Sequence, residues 1–143
     1  MSMGTYQVDI AGIMKQAGGY APECFPFIRD GLAHASDMVH GEVNDPGSLG
    51  LEDASRHVTG QQLCLGLRDL AIQRYGLLAR TVLNKWGIHE TRDFGNIIFA
   101  LVDANLMRTT DEDTIEDFDL VYTFDEAFEV PTALTELDEP VGA

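Results

Sequence analysis

Cysteine is scarce in this sequence: two in 143 residues, too few for a disulfide framework or a zinc cluster. Cys24 and Cys64 each lie in an apolar stretch with helical spacing, where a free thiol packs as a small hydrophobic side chain. We therefore expect two structural thiols and a reducing, cytoplasmic setting.

Long hydrophobic runs are also missing. The longest apolar segment, FGNIIFALV from Phe94 to Val102, is far shorter than the ~20 residues that a membrane span requires. The first residues, MSMGTYQVDIAGIMKQ, lack the charged start and apolar core of a signal peptide. With 45% hydrophobic and 23% charged residues, the composition is that of a globular protein. We expect a globular cytoplasmic protein without a membrane partner.

Positive charge is absent from the last quarter of the chain. Residues 1–108 contain all nine Lys and Arg residues and half of the 24 acids, whereas residues 109–143 contain the other half. The two parts therefore carry net charges of about −3 and −12 of the total of −15. This segregated charge argues against duplex DNA as a partner of the carboxyl-terminal part, because phosphates repel carboxylates.

Catalytic and cofactor motifs are absent from the sequence. Cys64 could pair with His57 or His89 as nucleophile and base, but it lies on or beside the apolar stripe of its predicted helix. No two histidines or cysteines have metal-ligand spacing, and no glycine-rich loop ends in Lys-Ser/Thr. We predict no catalytic residue, no metal and no cofactor, and leave open an enzyme whose site residues are dispersed in sequence.

The acidic stretch DEDTIEDFD invites comparison with a calcium loop, because Asp111, Asp113 and Asp117 lie at alternating positions. An EF-hand loop needs glycine at its sixth position and a carboxylate at its twelfth. Glu116 and Tyr122 occupy those positions here, so dedicated calcium binding is not predicted.

Apolar residues at spacings of three and four predict five helices, at about 8–17, 22–39, 60–75, 77–86 and 92–106. Thr59 with Gln62 resembles a capping box before the third helix, and Thr91 is expected to cap the fifth. In the third helix, Leu65 and Ile72 are expected to widen the buried face.

The segments LMRTT and FDLVYTF are predicted to pair as two short strands around the loop DEDTIED. In the second, Phe118, Leu120, Tyr122 and Phe124 alternate with other residues and are expected to face a core. The chain is therefore expected to be folded to about Phe128.

These elements predict a mostly α (α+β) fold in a single domain covering residues 1–128. It would contain an N-terminal helical pair (1–41), a loop (42–58) and a winged-helix-like unit of three helices with a short β-hairpin (59–128). Residues 129–143 are predicted to form an acidic, flexible tail.

Four distinctive segments are similar to a known family: YAPECFPFIRDGL (20–32), HVTGQQLCLGLRDLAIQRYG (57–76), VLNKWGIHETRDFGNIIF (82–99) and EDFDLVYTFDEAF (116–128). They resemble an uncharacterised bacterial family of the kind found in planctomycete and verrucomicrobial genomes. The resemblance covers roughly residues 20–128. It implies a bacterial cytosolic protein and carries over no activity and no site residue.

The leading hypothesis is a non-enzymatic interaction or regulatory module that binds a protein through its acidic end. Carboxylates would steer the encounter, and aromatic side chains would anchor the partner if they are exposed. The candidate residues are Asp111, Glu112, Asp113, Glu116, Asp117, Phe118 and Tyr122. The same acids could instead pack on the basic helices of this molecule, or serve only to solvate the surface.

The rival hypothesis is a winged-helix regulator that binds DNA through a basic stretch. Its candidate residues are Arg68, Arg74, Arg80, Lys85 and Arg92. Arg92 and Asn96, on the predicted outer face of the fifth helix, would reach the bases, whereas Asp103 opposes the phosphates and the wing would be acidic. Nucleic acid is thus a possible partner that the charge disfavours.

Overall fold

The computed structural model describes residues 9–41 and 57–128. Its helices are α1 (Ile10–Gly18), α2 (Cys24–His40), α3 (Gly60–Tyr75), α4 (Ala79–Lys85), α5 (Thr91–Asp103) and the single turn α6 (Phe124–Ala127). Two 3₁₀ turns, Gly76–Leu78 and Ile115–Phe118, complete the elements. The prediction of a mostly helical protein is confirmed. The predicted tail at 129–143 and most of the predicted loop at 42–58 lie outside the described residues.

Local sequence signals determine where several helices begin and end. The Thr59 hydroxyl accepts from the Gln62 amide at 3.1 Å, and the Gln62 side chain accepts from the Thr59 amide at 2.9 Å, so the predicted capping box is confirmed. The cap predicted at Thr91 is wrong. Glu90 is the N-cap of α5, and Asp93 accepts the backbone N–H groups of His89 and Glu90.

Helices α2 and α3 pack antiparallel and unusually close. A Cβ atom at Gly31 would lie 2.1 Å from the Leu67 side chain, and one at Gly66 would lie 2.5 Å from the Cβ of Ala35. The contact line of α3 with α2 therefore runs through Gly66 and Leu67. Leu65 and Ile72 lie away from this line and are exposed, so the wider buried face predicted for the third helix is wrong.

The predicted β-hairpin is wrong, because residues 106–124 contain no strand. Leu120 breaks the expected alternation: its φ is 49° and its side chain is 84% exposed. Hydroxyl and carboxylate groups instead close local turns. The Asp117 carboxylate accepts from the Thr114 amide, and the Thr123 hydroxyl accepts from the Glu126 amide. Such bonds compete with the ladder that a hairpin would need.

The expectation that the chain is folded to about Phe128 is nevertheless confirmed. Phe118, Tyr122 and Phe124 are buried and belong to the same hydrophobic cluster as Met14 of α1 and Phe27 of α2. In the part of the chain that the structure describes, no helix has the length and hydropathy to cross a membrane.

Candidate functional site: the acidic segment

The acidic segment, residues 109–128, is fixed to the helical body by Phe118. This side chain is 4% exposed, and its ring lies against two glycines, Gly60 of α3 and Gly95 of α5. A Cβ atom at either glycine would lie 2.9 Å from the ring, so the close approach depends on their lack of a side chain. Phe99 of α5 meets the same ring edge-on, with the ring centroids 6.4 Å apart.

Thr91 forms a second attachment through its hydroxyl group. It is 1% exposed and donates to the backbone carbonyl of Phe118 at 2.6 Å, while it accepts from the amide of Val121 at 3.3 Å. The threonine therefore satisfies two backbone groups of a chain that has no ladder. The sequence showed Thr91 only as a helix-capping residue type, and no local pattern marks this long-range role.

Tyr122 forms a third attachment, to α3. Its hydroxyl donates to the backbone carbonyl of Cys64 at 2.8 Å, and the Arg68 guanidinium lies 5.7 Å from its ring centroid. Burial raises the pKa of the Tyr122 hydroxyl well above its usual value. Phe118 and Tyr122 were predicted to anchor a partner if exposed. Both are buried, so they hold the segment to the core and offer no surface to a partner.

Most of the predicted basic surface is occupied by acids of the same molecule. Arg92 pairs with Asp119 at 2.6 Å and Arg80 with Asp125 at 2.5 Å, which ties two helices to the acidic segment. Arg74 pairs with Asp30 of α2 at 2.8 Å, and its hydrogen bond lowers the pKa of the Asp30 carboxyl. Lys85 is exposed and forms no ion pair with any residue of the described ranges.

Asp113 and Asp117, predicted to bind a partner, have structural roles. The Asp113 carboxylate accepts from the amide and hydroxyl of Thr110 and lies 3.1 Å from Nε2 of His57, with its side chain only 12% exposed. Asp117 is half-buried and caps the 3₁₀ turn through the amide of Thr114. These two acids therefore stabilise the segment's own conformation.

The remaining predicted acids, Asp111, Glu112 and Glu116, face solvent. None of them forms an ion pair with a described residue. The acidic segment thus combines buried aromatic residues with exposed carboxylates, three of which lack an ion pair within the described ranges. We call Asp111, Glu112 and Glu116 the outer acids.

Three side chains on the outer face predicted for the fifth helix, now α5, are engaged in contacts within the molecule. Arg92 is paired with Asp119, Asn96 donates to the Tyr20 hydroxyl at 3.0 Å, and Phe99 contacts Phe118. A DNA-reading helix must present such side chains to the groove. The arrangement of the described residues therefore counts against a recognition helix at this position.

The two cysteines and the possible metal ligands of the described residues bear on the sequence predictions of structural thiols and of no metal site. Cys24 and Cys64 are fully buried, and burial raises the pKa of each thiol to about 12. Within residues 9–41 and 57–128, no three His, Cys, Asp or Glu side chains are grouped so as to hold a metal ion.

No protein-family model, no curated protein and no solved structure matches the chain.

Proposed function

We propose that this protein is a non-enzymatic interaction or regulatory module that presents its outer acids to a basic partner protein. The observation that carries the proposal is the combination of buried aromatic residues and exposed carboxylates in the acidic segment. Phe118 and Tyr122 hold the segment to the core, while Asp111, Glu112 and Glu116 remain exposed and without ion-pair partners in the described ranges.

The attachment of the acidic segment to the core matters because a fixed acidic surface binds a basic partner at a lower entropic cost than a free tail does. A disordered segment must lose backbone freedom when it binds, at roughly 1–2 kcal/mol for each ordered residue. Carboxylates held on a folded surface avoid that cost and also steer the encounter through their field. The internal ion pairs support this function, since they consume the bases that would otherwise neutralise the surface.

DNA binding by a winged-helix-like arrangement of α3, α4 and α5 remains the rival proposal. Arg74, Arg80 and Arg92 are each paired with an acid, and no wing strand exists between residues 106 and 124. A titration of random duplex from about 50 to 200 mM salt separates the two proposals. Binding that weakens steeply with salt favours the rival, and no binding at the lowest salt removes it.

The resemblance to an uncharacterised bacterial family, the cytoplasmic location and the single-domain organisation likewise remain proposals. The resemblance carries no activity, so it neither favours nor opposes the interaction module. An enzyme with dispersed residues would need a nucleophile beside a base, whereas the described thiols are buried and protonated at neutral pH.

The test compares two triple variants of the outer acids with a lysine-rich peptide as the probe. D111N/E112Q/E116Q removes the charge, and D111E/E112D/E116D keeps it while altering each side chain. With ~0.5 kcal/mol for each exposed carboxylate, neutralisation should weaken binding about tenfold. The charge-keeping variant should bind like the wild type. Equal binding by all three proteins, or no binding by the wild type, would contradict the proposal.

A further inference from the structure

A cleft lies between α1 and α5, and Ile115 of the 3₁₀ turn contributes to its wall. Its volume is ≈ 450 Å³, within the range of ligand-binding cavities, and it is open to solvent. The described residues that line it are Ile13, Gln16, Ala17, Asn96, Phe99, Ala100, Asp103, Ala104 and Ile115. Six of these nine are apolar.

Helical spacing explains why the cleft is a groove with two walls, each of which carries apolar and polar side chains. Positions 13, 16 and 17 form one ridge of α1, and positions 96, 99, 100, 103 and 104 form one ridge of α5. The apolar members are half-buried, so each retains uncovered apolar surface. Small side chains at Ala17, Ala100 and Ala104 leave the space that larger residues would fill. Such a groove fits the apolar face of a further helix.

Charge around the cleft is negative where it meets the acidic segment. Asp103 is exposed and is the only charged residue among the described residues that line the cleft. Ile115, at the cleft wall, is followed directly by the outer acid Glu116, and Asp111 and Glu112 lie a few residues before it. A groove with six apolar side chains among its described lining, beside exposed carboxylates, is complementary to an amphipathic helix whose polar face carries Lys or Arg.

We propose that the α1–α5 cleft is the docking groove for a basic amphipathic helix of a partner protein, with the outer acids engaging its cations. This inference rests on the proposed function and locates the apolar half of the interface. A second copy of this chain is disfavoured as the occupant, because each copy carries a net charge of −15. Residues 129–143 are disfavoured for the same reason, since they contain four acids and no base.

Three synthetic peptides separate the groove from the charge, each titrated into the full-length protein. The first has leucines on one helical face and lysines on the other. The second replaces the leucines by serines, and the third replaces the lysines by glutamates. Affinity is measured by fluorescence anisotropy at low salt, and the site is mapped from the shifts of backbone amides.

The groove proposal predicts that the leucine–lysine peptide binds at least tenfold more tightly than the serine–lysine peptide. Its amide shifts should centre on Gln16, Phe99, Ala100 and Asp103. Ala100→Leu fills the groove and should reduce binding of the first peptide to the level of the second, without changing the second. Ala11→Leu on the exposed face of α1 is the matched control and should leave both affinities unchanged.

The alternative outcomes are distinct. Equal binding of the two lysine peptides, or shifts that avoid α1 and α5, would overturn the groove while leaving the acidic surface intact. Equal binding of the lysine and glutamate peptides, abolished by Ala100→Leu, would support an apolar groove but overturn the basic partner and with it the proposed function. No binding by any peptide would overturn both. Because the shift map uses the wild-type protein, it decides the question even if Ala100→Leu fails to fold.

Discussion

Phe118→Ala is the perturbation that bears most directly on how the acidic segment is held. The ring is 4% exposed and lies between Gly60 and Gly95, with Phe99 at its edge. Truncation removes this packing and leaves a cavity between α3 and α5, which in buried sites costs about 3–5 kcal/mol. Native proteins have about 5–15 kcal/mol of stability in total. The loss would therefore be a large fraction of the whole.

The assay is urea unfolding followed by far-ultraviolet circular dichroism, together with hydrogen exchange of the amides of residues 109–128. Phe118→Ala should lower the free energy of unfolding by at least about 3 kcal/mol and speed exchange throughout the segment. Leu120→Ala is the matched control. Leu120 lies two residues away but is 84% exposed, so its truncation should change stability by less than about 0.5 kcal/mol. A loss below about 1 kcal/mol for Phe118→Ala would refute the packing described here.

Three further perturbations test other parts of the structure. Burial raises the pKa of both thiols to about 12 from an ordinary 9.0. Alkylation of Cys64 near pH 8 should therefore be about 1,000-fold slower in the folded protein than in the unfolded chain. Equal alkylation rates would contradict the burial of Cys64. The hydrogen bond from Arg74 lowers the pKa of the Asp30 carboxyl, so the pair contributes less than ~1 kcal/mol of stability above about pH 4 and loses it as pH falls through the folded-state pKa. The stability difference between the wild type and Asp30→Asn should therefore vanish near pH 2. A difference that does not change with pH would show that the ion pair is unimportant. Gly66→Ala would place a Cβ atom 2.5 Å from the Cβ of Ala35 and 2.8 Å from its Cα. Thermal unfolding should therefore show a free energy of unfolding lower by about 1–3 kcal/mol, although alanine has the better helix propensity. A gain in stability would contradict the close packing of α2 and α3.

Local signals made much of the helical part predictable. The reciprocal bonds of Thr59 and Gln62 depend on residues three apart, and glycines such as Gly19, with φ 84°, mark helix ends through their own backbone freedom. Burial of Phe118, Tyr122 and Phe124 was also predictable, because large aromatic residues spaced among acids need a core to cover them. These features require no knowledge of distant partners.

The errors arose where distant residues decide the local conformation. The alternation of FDLVYTF indicated a strand, but Phe118 enters a space created by two glycines on other helices, and Thr91 binds the backbone on either side of Leu120. A strand with period-two alternation and a series of local turns would bury the same aromatic residues, so the sequence pattern could not distinguish the two conformations. Likewise, the basic stretch alone does not show that Arg80 and Arg92 are paired with the acidic segment, because those partners are distant in sequence.

Backbone order parameters for the amides of residues 109–128 test the central claim most directly, since a fixed acidic surface requires an ordered segment. The contacts of Phe118, Thr91 and Tyr122 predict values close to those of α3, about 0.85, throughout the segment. Values below about 0.6 across these residues would show a mobile acidic chain and would contradict the account.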